Sequence, residues 1–478
     1  YCLAASREWR GRILALFSRG ESVMSPKAIN KIRAKLGAAS VITDPGPEYA
    51  SDKWFAKGVP AAVVFPSSTE ETAFVMREAA KAGISVTPRG AGYGYVGGCT
   101  PVEGGIVICM DRMNRILEIN GLDFVAVVQP GVITGQLQEA VRAQNLFYPP
   151  DPASLKDCSI GGNIATNAGG PRCLKYGVTR HYILGLTVVL PDGSIVNCGG
   201  RTHKNKTGFD LVGLFTGSEG LLGIVTEATV RLLPLPPARA SLSAGFSSIE
   251  VAAEAIQAIF AAGFLPAALE MADAFTLNAA RAYSPQAKFP PGDAQIILEL
   301  DGQKASVRSE AAALEKILQK SGALGVQKAT TEKACDAIWG LRRVYSQSLK
   351  ATGLKKLNED IVVPRGRLVD LMRFASRLQK KSGFPIACFG HAGDGNIHVN
   401  IMVGDAENPE VQKKSRTALD ELFSQVLDWN GAITGEHGIG IAKKPWWKQA
   451  VPAPTRELHR ILKEALDPKR ILNPGKFV

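Results

Sequence analysis

The chain has 478 residues, about three domains' length, with a net charge of +12 and 49 glycines. No apolar run reaches the roughly 20 residues that cross a bilayer. The eight scattered cysteines form no Cys-x-x-Cys pair, which excludes an iron–sulfur cluster or a zinc ribbon of the usual spacing.

Half of the net charge lies in residues 1–40, where Arg7, Arg10, Arg12, Arg19, Lys27, Lys31, Arg33 and Lys35 face only Glu8 and Glu21. A basic arm can meet nucleic acid or an anionic membrane. Without aromatic interleaving or a recognisable binding fold it reads as a solvated tail, and no nucleic-acid partner is expected. Residues 1–23 are expected to form an extension without fixed structure, with Met24-Ser-Pro-Lys reading as a natural start. With no secretion signal, reduced thiols and a cytoplasmic location are expected.

In chain order, 61–65 reads as a buried strand, and Ser68-Thr-Glu-Glu71 caps a helix over 69–82. A strand over 84–87 runs into Pro88-Arg-Gly-Ala-Gly-Tyr-Gly-Tyr-Val-Gly-Gly98. Strands follow at 105–109 and 124–129, and a helix at 134–145. The stretch 149–177 has no periodicity and reads as a long loop, a length that usually signals function. Strands at 183–190 and 194–198 flank the hairpin signal Pro191-Asp192-Gly193. After Pro234-Leu-Pro-Pro237, a linker, helices at 249–262, 304–320, 331–350, 366–381 and 409–428 alternate with strands at 266–271, 294–300, 358–363, 385–389 and 396–403. That alternation predicts a second, α+β domain.

Gly92-x-Gly94-x-x-Gly97 matches the dinucleotide fingerprint only as a bare pattern. The Rossmann version needs a helix starting at the glycines, and Cys99-Thr-Pro-Val-Glu cannot start one. Successive backbone amides in such a loop can instead make an anion-binding concavity, with Arg89 adding charge.

Three more stretches join this loop: Pro150-Asp-Pro-Ala-Ser154, Ile160-Gly-Gly-Asn-Ile-Ala-Thr-Asn-Ala-Gly-Gly170 and Gly217-Ser-Glu-Gly-Leu-Leu-Gly-Ile224. Together they resemble the FAD-binding domain of the vanillyl-alcohol-oxidase (PCMH-type) flavoproteins, in the branch of D-lactate dehydrogenase, the glycolate oxidase catalytic subunit and D-2-hydroxyglutarate dehydrogenase. The resemblance covers about residues 40–478. It implies an α+β fold with a two-subdomain PCMH-type FAD-binding domain (24–237), a ferredoxin-like α+β substrate or cap domain (238–428), and a segment (429–478) returning to the FAD domain, as Ile471-Leu-Asn-Pro-Gly-Lys476 suggests.

The same resemblance implies an elongated FAD. Arg89, Gly90, Ala91, Gly92, Tyr93, Gly94, Gly97 and Gly98 would wrap the pyrophosphate region. Pro130, Gly131, Pro152, Ala153, Ser154, Ser159, Gly161, Gly162, Asn163, Ala165 and Asn167 would line the ribityl and isoalloxazine region. Glu219, Gly220, Gly223, Ile224 and Val225 would meet the adenine side, and Asn473 would complete the set. Some relatives attach the flavin to a histidine in the first loop; this loop has Tyr93 and no His, so non-covalent FAD is expected.

Only six histidines occur, and three sit in Gly390-His-Ala-Gly-Asp-Gly-Asn-Ile-His398-Val-Asn400 and Thr434-Gly-Glu-His-Gly-Ile-Gly440. A lone His is more often a satisfied structural residue. Three in glycine-rich company point to a site. His391 and His398 can converge from two strand ends, and Glu436 can complete a two-His, one-carboxylate metal site. His437 is left for proton transfer. In metal-dependent members of the family, His391, His398 and Glu436 correspond to the ligands of a divalent metal, often zinc, and His437 to the base. Arg342 resembles the clamp for the substrate carboxylate, a role suited to a guanidinium fork. Lys356 is a candidate for a second anion contact, and Asn400 for a bond to the substrate or a ligand.

The expected activity is FAD-dependent oxidation of a small D-2-hydroxy acid (D-lactate, glycolate or D-2-hydroxyglutarate). Electrons would pass to an electron-transfer flavoprotein, an iron–sulfur subunit or a quinone. Peripheral membrane association and a homodimer are compatible with this reading. The alternatives are a non-redox synthase of the same fold and a catalytically silent flavoprotein subunit; the His391/His398/Glu436/His437 set speaks against both.

Overall fold

The computed structural model describes residues 26–54, 56–102 and 104–478; the expectation for residues 1–23 lies outside the described residues. The chain divides into two compact units. Unit 1 contains the described residues up to Ala168, then Val178–Leu235 and Glu436–Val478; unit 2 contains Gly169–Gly177 and Pro236–Gly435.

Unit 1 begins with β1 (Val41–Ile42), β2 (Ala62–Val64), β3 (Val86–Arg89) and β4 (Ile106–Cys109), in the order β1-β2-β4-β3. β2, β4 and β3 run parallel. The unbroken apolar runs of β2 and β4 are buried on both faces, as a covered parallel sheet requires. The helix Thr69–Ala82 makes the crossover. Ser68 accepts from Glu71 N at 3.2 Å to open it, and Gly83 at φ +66° closes it.

Seven more strands follow: β5 (Ile116–Asn120), β6 (Val125–Val128), β7 (Leu146–Phe147), β8 (Ile183–Val189), β9 (Ile195–Gly199), β10 (Ile224–Arg231) and β11 (Leu233–Pro234). Five of them form an antiparallel sheet, β5-β6-β10-β8-β9, and β11 pairs with β7. The expected hairpin forms: Gly193 takes φ +84° and Val189 pairs with Ile195. Val86 also bridges to Leu472, so the segment from Glu436 onward is stitched into the first sheet.

The stretch 149–177 is not a structureless loop. Ile160–Thr166 is a helix, capped by Ser159, which accepts from Gly162 N, and ended by Asn167 in the left-handed region. Cys173–Tyr176 adds one turn. Two successive glycines carry no helix signal, so the caps decide this element.

Unit 2 is built on one antiparallel sheet of seven strands: β12 (Ala238–Phe246), β13 (Ala268–Ala272), β14 (Ala294–Gly302), β15 (Gly325–Ala329), β16 (Lys355–Val362), β17 (Ile386–His391) and β18 (Asn396–Val403). The order is β15-β12-β14-β13-β17-β18-β16. The first four strands, with helices Ile249–Ala261 and Lys304–Lys320 between them, make the ferredoxin-like β-α-β-β-α-β arrangement. β16, β17 and β18, with helices Leu368–Ser382 and Pro409–Asp428, repeat it without the last strand. The helix expected over 331–350 breaks at Val344 into Glu332–Arg343 and Tyr345–Ala351. No helix among the described residues is long and apolar enough to cross a membrane.

Candidate functional site

Within unit 1 the glycine-bearing segments gather around the helix Ile160–Thr166. Ala91 N and Gly162 N both donate to Ser159 Oγ, at 3.3 and 3.4 Å. Gly161 N donates to Pro130 O at 2.8 Å, and Gly131 N to Met113 O at 2.7 Å. Gly217 N donates to Ile164 O and Glu219 N to Ala165 O, each at 2.8 Å. Ser154 O caps the turn after Pro152 and Ala153 by accepting from Asp157 N and Cys158 N.

The contacts are close enough to require glycine. A Cβ at Gly90 would lie 2.5 Å from Ser159 Oγ, and one at Gly161 would lie 2.6 Å from Pro130 Cβ. Gly220 sits against Pro88, while Gly223 meets Val188 just before Ile224 and Val225 open β10. The loop Gly90–Gly98 is held from both sides: Asp52 accepts from Gly98 N at 3.1 Å, and Asn473 Nδ2 donates to Gly98 O at 3.0 Å and to Glu219 O at 2.8 Å. Earlier in the loop, the amides of Gly92, Tyr93 and Gly94 have no protein acceptor among the described residues, and all three residues are half-exposed. Three consecutive unclaimed N–H groups in an anchored loop fit a pyrophosphate.

Several residues expected at the flavin use their side chains within the protein. Arg89 is buried and donates to Ser51 O at 2.8 Å and to Cys99 Sγ at 3.4 Å. Asn163 donates to Thr134 Oγ1 at 2.7 Å. Asn167 Oδ1 accepts from Arg180 N at 2.9 Å. The Glu219 carboxylate accepts from Ile439 N and Gly440 N, each at 2.8 Å. Burial pushes its pKa up, against those two amides. These side chains frame the loops, leaving the backbone to meet a ligand.

In unit 2 the strand register sets the site. Asp360 pairs with His398, Asn358 with Asn400 and Lys356 with Met402; His398 also pairs with Phe389, and Asn400 with Ala387. All of these side chains therefore share one sheet face, since alternate residues point the same way. The opposite face carries Leu269, Met271, Cys388, Ile397, Val399 and Ile401, all buried.

On the first face the His391 and His398 ring centroids lie 5.7 Å apart at 76°. Glu270, on β13, places Oε1 2.5 Å from His391 Nδ1 and Oε2 2.5 Å from Arg342 Nε. Burial alone would raise its pKa, but His391 and Arg342 overcome that and hold the carboxyl at about 2. Arg342, from the helix Glu332–Arg343, lies over the rings of Phe389 (4.9 Å) and Tyr345 (5.6 Å). Its two Nη atoms have no acceptor among the described residues, although only 11% of the side chain is exposed. Lys356 Nζ donates to Ser346 Oγ at 2.9 Å and pairs with no carboxylate among the described residues. Burial, then Lys350 and Arg342, lower its pKa to about 8. Asn400 is fully buried. Its Nδ2 serves Ala387 O and His398 O, while its Oδ1 and that of Asn358 receive no donor among the described residues.

The second histidine motif straddles the unit boundary in sequence. In unit 2, Asp360 Oδ2 accepts from Thr434 Oγ1 and Gly435 N, each at 2.9 Å, and Oδ1 accepts from Asn396 Nδ2 at 2.7 Å. Glu436 is the next residue in the chain. In unit 1, His437 packs its ring 5.3 Å from that of Tyr95, tilted 31°, and the Glu219 carboxylate grips the turn two residues on. Imidazole and carboxylate donors of this kind suit a divalent metal of borderline softness.

Sequence reasoning did not single out Glu270 or Asp360. The signal for Glu270 was present: it is the one charged residue in the run Ala267-Ala-Leu-Glu-Met-Ala272. A charge buried in a central strand requires partners.

Residues 60–199 match the FAD binding domain family, and residues 235–477 match the family of FAD linked oxidases, C-terminal domain. The glycolate oxidase subunit GlcD of Bacillus subtilis is 39% identical over 434 residues, which is 91% of this chain and 91% of that one. The D-lactate dehydrogenase of Anaerostipes hadrus is 33% identical over 430 residues, 88% of this chain and 90% of its own. The crystal structure of p-cresol methylhydroxylase with substrate bound shares the fold at a TM-score of 0.74, with 21% identity over 94% of this chain and 96% of that one. The chain belongs to the FAD-linked oxidases and is an FAD-dependent oxidoreductase.

Proposed function

We propose that the protein oxidises a small D-2-hydroxy acid to the 2-oxo acid. The observation that carries this is Arg342: one edge of its guanidinium is tied to Glu270, and its Nη pair is left without an acceptor among the described residues, on the same sheet face as two histidines. A nearly buried fork in that state is suited to bidentate carboxylate binding.

Arg342 grips the substrate carboxylate. Lys356 adds a second positive charge, and Asn400 Oδ1 accepts a hydrogen bond from the substrate. His391, His398 and Glu436 would hold a divalent metal, with zinc the expected ion. His437 takes the proton of the C2 hydroxyl. When bound, FAD would supply the acceptor for the C2 hydride, and a metal would supply positive charge beside the hydroxyl oxygen. The amides of Gly92, Tyr93 and Gly94 hold the pyrophosphate, and FAD is non-covalent because the loop offers no histidine. The electrons would pass on to an external acceptor. A cytoplasmic location, with peripheral membrane contact and a homodimer, belongs to the same reading. The relatives named for glycolate and D-lactate support the substrate class.

The test is anaerobic bleaching of the bound flavin by a panel of D- and L-2-hydroxy acids. Reduction by D-lactate or glycolate is expected, and preferential reduction by L-enantiomers overturns the stereochemistry. No reduction by any member overturns the reading.

A further inference from the structure

We infer that Glu270 is a positioning residue that couples the carboxylate clamp to the metal-binding histidine. The inference rests on the reading above and extends it. The carboxylate is divided between two donors: Oε1 meets His391 Nδ1 and Oε2 meets Arg342 Nε, both at 2.5 Å, with Glu270 1% exposed.

A carboxylate on Nδ1 fixes the ring's orientation and leaves Nε2 as the metal donor. The same carboxylate, by taking Nε of Arg342, turns the Nη pair outward for the substrate. No third residue is needed to link them. His391 is the last residue of β17 and Arg342 lies near the end of the helix Glu332–Arg343, so one carboxylate joins the ends of two separate elements.

Glutamine at this position presents one oxygen and one NH2 group, so it can accept from only one of the two donors. In Glu270→Gln, affinity for Co2+ or Zn2+, measured by titrating metal-stripped protein, falls by about 10–100-fold. The KM for D-lactate rises, while kcat at saturating metal and substrate and the FAD content are retained. Arg342→Met gives a second route that leaves the imidazoles in place: metal affinity falls several-fold although this residue is not a ligand. The double variant Glu270→Gln/Arg342→Met is no worse for metal than Glu270→Gln alone.

Unchanged metal affinity in both single variants overturns the role of Glu270. If Glu270→Gln does not fold, unchanged metal affinity in Arg342→Met alone does so. A wild-type protein that binds neither metal nor D-lactate and glycolate overturns the functional reading itself, a separate outcome.

Discussion

Lys356 donates to Ser346 Oγ at 2.9 Å and has no carboxylate beside it among the described residues. The charged groups that weigh on it, Lys350 and Arg342, are both cations, and with burial they bring its pKa to about 8. Lys356 is therefore cationic below that pH and neutral above it. The KM for a 2-hydroxy acid should rise as pH passes upward through about 8. In Lys356→Met the KM should be higher at neutral pH and this step should vanish. Initial rates across pH 6.5–9.5 check both.

His437 carries the proton in the scheme above. His437→Ala should keep its flavin absorbance and lose turnover by about 10²–10⁴-fold, the usual worth of a positioned base. Full activity in that variant removes His437 from the reaction. Acid precipitation of the wild type should leave the yellow colour in the supernatant.

The turn after His437 depends on Glu219. Gly438 has φ +87°, and a Cβ there would lie 2.8 Å from Glu219 Oε1. Gly438→Ala combines backbone strain with this clash, and should cost about 1–3 kcal/mol in urea unfolding. Glu219→Ala leaves two buried amides without an acceptor, at about 1–3 kcal/mol each.

Lys463 is a buried staple. Its Nζ donates to Leu221 O (2.8 Å), Leu472 O (2.7 Å) and Asp467 Oδ2 (2.7 Å), with the Lys463 and Asp467 side chains 4% and 1% exposed. Lys463→Met strands the buried Asp467 carboxylate and should destabilise the protein by about 3–5 kcal/mol. A midpoint of denaturation equal to wild type would show that Asp467 finds another donor.

The glycine loops and the histidine motifs were legible because special backbone needs and rare side chains leave marks in sequence. Capped helices were equally plain, Thr69–Ala82 most of all. The helix Ile160–Thr166 was hidden because its first turn contains Gly161 and Gly162, the poorest formers short of proline. β12 was hidden because its polar-facing positions are Ser241, Ser243 and Gly245, which have weak strand preference. Asp360 became visible only once the fold brought Asn396, Thr434 and Gly435 to its carboxylate, for an isolated acidic residue looks the same on a surface as in a site. Arg89, Asn163 and Glu219, expected at the flavin, turn their side chains inward to brace the loops.

Asn473 binds the Gly98 carbonyl across 375 residues of chain, and Leu472 bridges to Val86 beside it. Such distant closure makes the nucleotide cradle a late product of synthesis. A ribosome that has translated only through residue 435 has released every glycine loop but not the clasp that binds them. Flavin capture should follow the arrival of the final segment, and until then the first sheet needs shelter from premature association.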